Sequence, residues 1–211
     1  VADLLRNISY PDQPLGRSIL GSPNNIKKFK GKDFFGFVDK YYGPKQIIIT
    51  VAGGVKSSDV FRSVEEKFGF LNGPDLLSPS EAKFKGGENR IEKKLEQGHF
   101  TLALEAPNLT DPNLYAASVF GSILGGGMTS RLFQEIREKR GLCYAIGSFV
   151  RSSSDTGSIE IYSGTGSEKI SELSYVVAEE IKKLTSNVKD AEVAREKAQF
   201  KAGILFGLED P

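Results

Sequence analysis

The sequence predicts an α+β fold in which a mixed or antiparallel sheet is flanked by helices. Three observations support this class. Residues 98–106 alternate apolar and polar side chains at the period of a strand. Residues 167–184 repeat apolar side chains at the period of a helix. Helices and strands do not alternate strictly along the chain, which argues against a doubly wound parallel sheet.

Composition excludes several classes of function. The chain has 211 residues, 39% of them hydrophobic, which suits one large or two small domains with a real core. Its net charge of +1 gives no electrostatic reason to expect nucleic acid or an anionic membrane as a partner. One cysteine cannot form an internal disulfide, and no apolar run approaches the ~20 residues of a membrane span. No secretory signal is visible, so we expect the cytoplasm, most simply of a bacterium, or an organelle matrix.

The first half of the chain predicts two helices, a strand and a linker. The stripe over residues 33–42 is helical and ends at a Gly-Pro pair. Residues 46–52 form an apolar, β-branched run that is typical of a buried central strand. A second helix is expected over residues 59–68. Residues 76–94 lack periodicity and collect Pro, Gly, Ser and Lys, as linkers do.

The second half predicts three strands and four helices. The first of these helices, over residues 111–124, is apolar on nearly all sides, so we expect it to be deeply buried. Gly141 is expected to stop the second helix at its C′ position. The predicted strands cover residues 98–106, 143–151 and 157–163, and the predicted helices cover residues 111–124, 130–140, 167–186 and 189–208.

The most informative segment is GGGMTSRLFQEIREKRGLCY, residues 125–144. Three consecutive glycines expose backbone groups and permit close approach of another chain. Arg137 and Tyr144 lie on either side of the expected helix stop. A guanidinium and a phenol placed together can both donate hydrogen bonds to a carbonyl or a developing oxyanion. The spacing alone favours a helix C-cap, a surface arginine and a core tyrosine, and it leaves both interpretations open.

The run LGGGMTSRLFQEIREKRGLCYAIGSF resembles a signature of the pitrilysin-like zinc metallopeptidases, in particular of their mitochondrial-processing-peptidase branch. Two further stretches resemble the same family in the same order. They are YPDQPLGRSILGSPNNIKKFKGKDFFGFVDKYYGPKQIIITVAGGV and LEQGHFTLALEAP. The resemblance covers most of residues 10–205 and implies a metallopeptidase fold of the LuxS and processing-peptidase type.

The resemblance also implies roles for individual residues. Family members join homologous α+β domains in tandem, and the first carries an inverted zinc motif, H-x-x-E-H. The neighbouring domain supplies an arginine and a tyrosine that hold the substrate carbonyl, and these positions match Arg137 and Tyr144. The glycine-rich loop, Gly125, Gly126 and Gly127 with Met128, matches a region that contacts a peptide or presequence substrate.

This chain departs from the family pattern because it contains no H-x-x-E-H and its single histidine is His99. By the order of matching segments, residues 1–75 correspond to the C-terminal half of the zinc-bearing domain. Residues 76–94 are the linker, and residues 95–211 correspond to the N-terminal half of the following domain without zinc. We therefore expect a piece of a larger protein that binds no zinc and cuts nothing by itself. Zinc, the remaining halves and a possible homo- or heterodimer belong to the parent protein.

Three interpretations of function stay open. The parent is an active protease, or it is a non-catalytic family subunit that binds peptides or scaffolds a partner. A third, weaker interpretation is a nucleotide-binding domain, based on glycine turns that complete no phosphate-loop motif. Two structural expectations accompany them. The strand predicted at residues 46–52 completes the sheet of the second half, and Cys143 is a buried small apolar residue rather than a nucleophile.

Overall fold

The computed structural model describes residues 1–73 and 80–209, which divide into two compact units. The sheet unit joins Val1–Ile19 to the chain from Glu81 onward, and the helical unit is the described part of Leu20–Ser80. None of the helices in the described residues combines the length and apolarity that a membrane crossing requires. The predicted linker lies partly outside the described residues.

The described residues form seven α-helices, one π-helix and three strands. Their bounds are α1 (Ala2–Ser9), α2 (Pro23–Lys28), α3 (Gly31–Tyr41), α4 (Ser57–Phe68), β1 (Gly98–Ala106), α5 (Leu114–Gly125), the π-helix (Phe133–Glu138), β2 (Cys143–Ser152), β3 (Gly157–Thr165), α6 (Ile170–Ser186) and α7 (Asp190–Glu209).

The sheet is antiparallel, with β3 between β1 and β2. β1 pairs with β3 from Gly98 opposite Thr165 to Ala106 opposite Gly157. The polar turn between Ser152 and Gly157 returns the chain from β2 directly into β3. The predicted α+β class with an antiparallel sheet is therefore confirmed.

One face of the sheet packs on helices and the other is open. Along β3, Ile159 and Ile161 are buried, whereas Glu160 and Tyr162 lie on the opposite face. α5 and α6 contact the strands and form the core with them. Each fully buried aliphatic side chain contributes about 1.5–3 kcal/mol. The buried core consists of Ile123, Leu124, Leu132, Ile136, Leu142, Ile161, Leu173, Val176, Val177 and Leu184.

The N-terminal segment belongs to the sheet unit. α1 contacts β1, and the hydroxyl of buried Tyr10 lies 3.1 Å from Thr156 Oγ1. Phe84 packs edge-on against Tyr10, and the Lys85 amide donates to the Ser9 carbonyl at 2.9 Å. The units divide the chain at residues 19 and 80. The division at residues 75 and 95, which rests on correspondence to family domains, stays a prediction.

The strand predicted at residues 46–52 is absent from the described part of the helical unit. α3 and α4 form close to their expected bounds, but residues 47–52 have no regular structure and Ile48 is 90% exposed. A strand is stable only when neighbouring strands accept and donate its backbone hydrogen bonds. No described strand pairs with this segment. The expectation that it completes the three-stranded sheet is therefore wrong for this chain.

The expected deep burial of α5 is also wrong. Only its C-terminal turns are buried, from Gly121 to Gly125, whereas Tyr115 is 76% exposed. Helix α7 lies beside α5 and leaves an apolar groove of about 820 Å³ between them. The groove explains why an all-round apolar helix is only partly covered in these 211 residues.

Candidate functional site

Arg137 lies in a backbone irregularity. The helix predicted over residues 130–140 begins with an ordinary turn and becomes a π-helix over Phe133–Glu138. The Lys139 amide donates to the Gln134 carbonyl at 3.0 Å, which is the five-residue step of a π-helix. Buried Leu132 and Ile136 hold its inner side in the core. Such short π-helices occur frequently at functional sites.

The helix ends in an αL C-cap that binds the backbone carbonyl of Arg137. Gly141 has φ +60°, in the left-handed region that glycine favours. Its amide donates to the Arg137 carbonyl at 3.1 Å, and the Leu142 amide donates to the Ile136 carbonyl at 2.9 Å. The bond from Gly141 to Arg137 is the one that defines an αL C-cap, and Leu142 and Ile136 are both buried in the core. The predicted role of Gly141 as C′ residue is confirmed.

Tyr144 lies in a second irregularity, a β-bulge at the start of β2. Cys143 is opposite Thr165 and Ala145 is opposite Gly164, so Tyr144 is the extra residue between two paired positions. A bulge changes the direction of a side chain relative to a regular strand. The Tyr144 side chain is 79% exposed, which excludes the core tyrosine that the spacing also allowed.

The two irregularities place Arg137 and Tyr144 in contact. The guanidinium carbon of Arg137 lies 4.9 Å from the centre of the Tyr144 ring and 4.7 Å from that of Phe133. Within the described residues, the guanidinium has one ion pair, Nε to Glu138 Oε1 at 3.8 Å, and no hydrogen bond. Arginine carries five N–H donors. With its side chain 34% exposed, Arg137 retains donors for an external acceptor.

The glycine loop has a buried end and an exposed end. Gly125 packs on β2 so closely that an added Cβ would lie 2.6 Å from the Ser148 amide nitrogen. Gly126, Gly127 and Met128 are exposed. The Met128 carbonyl accepts a hydrogen bond of 2.7 Å from Gln134 Nε2, which joins the loop to the π-helix. Substrate contact by Gly125–Met128 stays a prediction. Because Gly125 is buried, only Gly126, Gly127 and Met128 are accessible to a substrate.

An ion pair anchors Arg131, which begins the helical turn that leads into the π-helix. Arg131 donates to both oxygens of Glu192, Nε to Oε1 at 2.9 Å and Nη2 to Oε2 at 2.7 Å. The Lys189 amide donates to Glu192 Oε2 at 3.0 Å, so Glu192 also caps α7. The hydrogen bond from Arg131 is the main cause that lowers the pKa of Glu192 to about 2. Sequence inspection missed this pair, although a glutamate at the third position of a helix is a known capping signal.

The described residues do not fit a catalytic zinc. Such a site takes three His, Glu, Asp or Cys ligands, and no three side chains of these types converge in the described part of the chain. His99 is exposed on the open sheet face, stacked on Tyr162 with its Nδ1 3.0 Å from the phenol oxygen. Cys143 packs against the core. No chemical step through zinc is derived from these residues.

The described residues thus form an α+β domain in which no three candidate ligands converge on a metal. The structure superimposes on the crystal structure of a peptidase M16 inactive domain from Pseudomonas fluorescens with a TM-score of 0.83 and 26% identity. The match covers 93% of this chain and 50% of that one. A protease from Helicobacter pylori shares the fold, with a TM-score of 0.84 and 23% identity over 98% of this chain and 52% of its own.

Residues 28–200 match the family described as the peptidase M16 inactive domain, and the chain belongs to that family. A relative in Rickettsia felis, named an uncharacterized zinc protease, is 38% identical over 95% of this chain and 49% of its own length. A Bacillus subtilis relative named likewise is 31% identical over 99% of this chain and 51% of its own. The chain thus spans about half the length of these curated relatives. The pitrilysin-like resemblance is confirmed, and the processing-peptidase branch stays a prediction.

Proposed function

We propose that this chain is the substrate-side part of a zinc-dependent metalloendopeptidase of the processing-peptidase type. The complete protein hydrolyses peptide bonds in peptide or presequence substrates, and its zinc ligands lie in the part that this chain does not include. Membership of the M16 family and relatives named zinc proteases support this proposal.

The chain takes its place across a domain boundary of that protease. Residues 1–75 complete the zinc-bearing domain, and residues 95–211 begin the following domain without zinc. The remaining halves are the partners of this chain, and complete copies pair as homo- or heterodimers. The protease works in a bacterial cytoplasm or an organelle matrix, and the bacterial origin of its relatives named zinc proteases supports the first.

One observation carries the proposed chemistry: the Arg137 guanidinium contacts the Tyr144 ring, and both side chains are accessible. The guanidinium and the phenol donate hydrogen bonds to the substrate carbonyl. Those bonds strengthen as the carbonyl oxygen gains negative charge in the transition state, and this difference in binding lowers the barrier. The exposed loop residues Gly126, Gly127 and Met128 contact the peptide beside the carbonyl.

The proposal is tested in the complete protease that contains this chain. Arg137→Ala and Tyr144→Phe each lower kcat by roughly ten- to a thousand-fold, because a donor to the oxyanion is lost. Arg62→Ala and Tyr175→Phe are matched controls on exposed side chains of α4 and α6 and keep the wild-type kcat. An unchanged kcat in both site variants removes the role that we assign to them.

The description of this family as an inactive domain favours one alternative, a non-catalytic subunit that binds peptides or scaffolds an active partner. The zinc content of the complete protein separates the two. An intact H-x-x-E-H with about one bound zinc per molecule supports the protease. A degraded motif without bound zinc supports the subunit.

A further inference from the structure

We propose that Phe133 is a positioning residue for Arg137, holding the guanidinium where it meets the substrate carbonyl. This inference rests on the proposed function, because it concerns how Arg137 is held while it works. Phe133 lies four residues before Arg137, and side chains at that spacing share one side of a helix. The guanidinium carbon is 4.7 Å from the centre of the Phe133 ring, within the range of a cation–π contact.

Three groups contact the Arg137 guanidinium, and they differ in rigidity. Tyr144 is 79% exposed, and exposed side chains change rotamer within nanoseconds. Glu138 is half exposed and lies 3.8 Å from Nε, a geometry in which ion pairs contribute little. Phe133 is partly buried, and its neighbour in the chain, Leu132, is fully buried in the core. Phe133 is therefore the fixed surface among the three.

The consequence concerns the transition state more than substrate binding. An arginine side chain has many rotamers, and a hydrogen bond to an oxyanion forms only when the guanidinium is in place. A ring that restricts those rotamers raises the fraction of molecules that are ready to react. Loss of the ring therefore lowers kcat and leaves KM nearly unchanged.

The experiment uses the complete protease and three variants. Phe133→Leu removes the ring and lowers kcat by about two- to thirty-fold, the range of a cation–π contact, with KM within about twofold of wild type. Phe133→Tyr keeps the ring and restores kcat to within about twofold. Phe100→Leu, in a partly buried phenylalanine of β1 that packs on the core, is the matched control and keeps the wild-type kcat. If Phe133→Leu does not fold, Phe133→Met replaces it with the same expected loss.

A double variant shows whether Phe133 acts through Arg137. In an Arg137→Ala background, Phe133→Leu changes kcat by less than about twofold, since the residue that it positions is gone. An unchanged kcat in Phe133→Leu, or the same loss with and without Arg137, overturns the inference. Arg137→Ala alone reports separately on the proposed function: if it leaves kcat unchanged, the assigned role of Arg137 fails, whatever Phe133 does.

Discussion

Glu192→Gln removes the negative charge from the Arg131–Glu192 ion pair. This pair joins the helical turn before the π-helix to α7. The pair is largely buried, with side-chain exposures of 14% for Arg131 and 15% for Glu192. Arg131 also donates to the carbonyl of Asn187, the C-cap of α6, so it contacts both the end of α6 and the start of α7. Glutamine keeps the size of the side chain and loses its charge, so the substitution isolates the electrostatic contribution.

The magnitude follows from the pKa of Glu192. The hydrogen bond from Arg131, together with the one from the Lys189 amide, lowers that pKa from its ordinary 4.5 to about 2, which corresponds to about 3 kcal/mol of stabilisation. Because the folded-state pKa is lowered, this stabilisation is complete above pH 4.5 and is lost as the pH falls toward 2. We expect Glu192→Gln to lower the free energy of unfolding by about 2–3 kcal/mol at pH 7 and by about half of that at pH 3.

Urea denaturation of the chain at pH 7 and at pH 3 measures both differences. Glu179→Gln is the matched control on α6, since its carboxylate is more exposed and lies 4.0 Å from Lys183. That variant costs less than about 0.5 kcal/mol at either pH. The reasoning fails if Glu192→Gln costs the same at pH 3 as at pH 7, or no more than the control at pH 7.

Two further predictions concern the glycines that position the site, with Gly127→Ala as control because an added Cβ there meets no described atom within 4 Å. Gly125→Ala lowers the free energy of unfolding by about 2 kcal/mol, since the added Cβ meets the Ser148 backbone. A urea midpoint equal to that of Gly127→Ala would contradict this close packing. Gly141→Ala costs about 1–2 kcal/mol because φ is +60°, and thermal unfolding unchanged from wild type would contradict the left-handed C-cap geometry.

Local patterning predicts the sheet unit well. The alternation over residues 98–106 defines β1 to the residue, and the expected starts of β2 and β3, at Cys143 and Gly157, are those observed. The helices that cover the packed face of this sheet lie within the chain, so local pattern and tertiary packing agree. The apolar run at residues 46–52 fails for the opposite reason. Its strand depends on neighbours that the described residues do not provide, and pattern alone does not report whether they are present.

The residues of the candidate site stay a prediction, and their geometry could not be read from the sequence. Resemblance to the family singles out Arg137 and Tyr144, but no sequence pattern predicts that one lies in a π-helix and the other in a β-bulge. Each irregularity is one residue out of phase with a regular element, and tertiary packing determines where that residue falls. No sequence pattern singles out Phe133, because an aromatic residue at helical spacing usually indicates core.

The central claim is that Arg137 and Tyr144 act as one unit on one substrate carbonyl, and a double-mutant cycle tests it most directly. Steady-state kinetics of the complete protease give kcat for wild type, Arg137→Ala, Tyr144→Phe and the double variant. We predict that the double variant loses little more than the worse single variant, because both donors bind the same carbonyl oxygen and loss of either one already misplaces it for the other. A loss equal to the product of the two single losses would show that the residues act independently and would contradict this account.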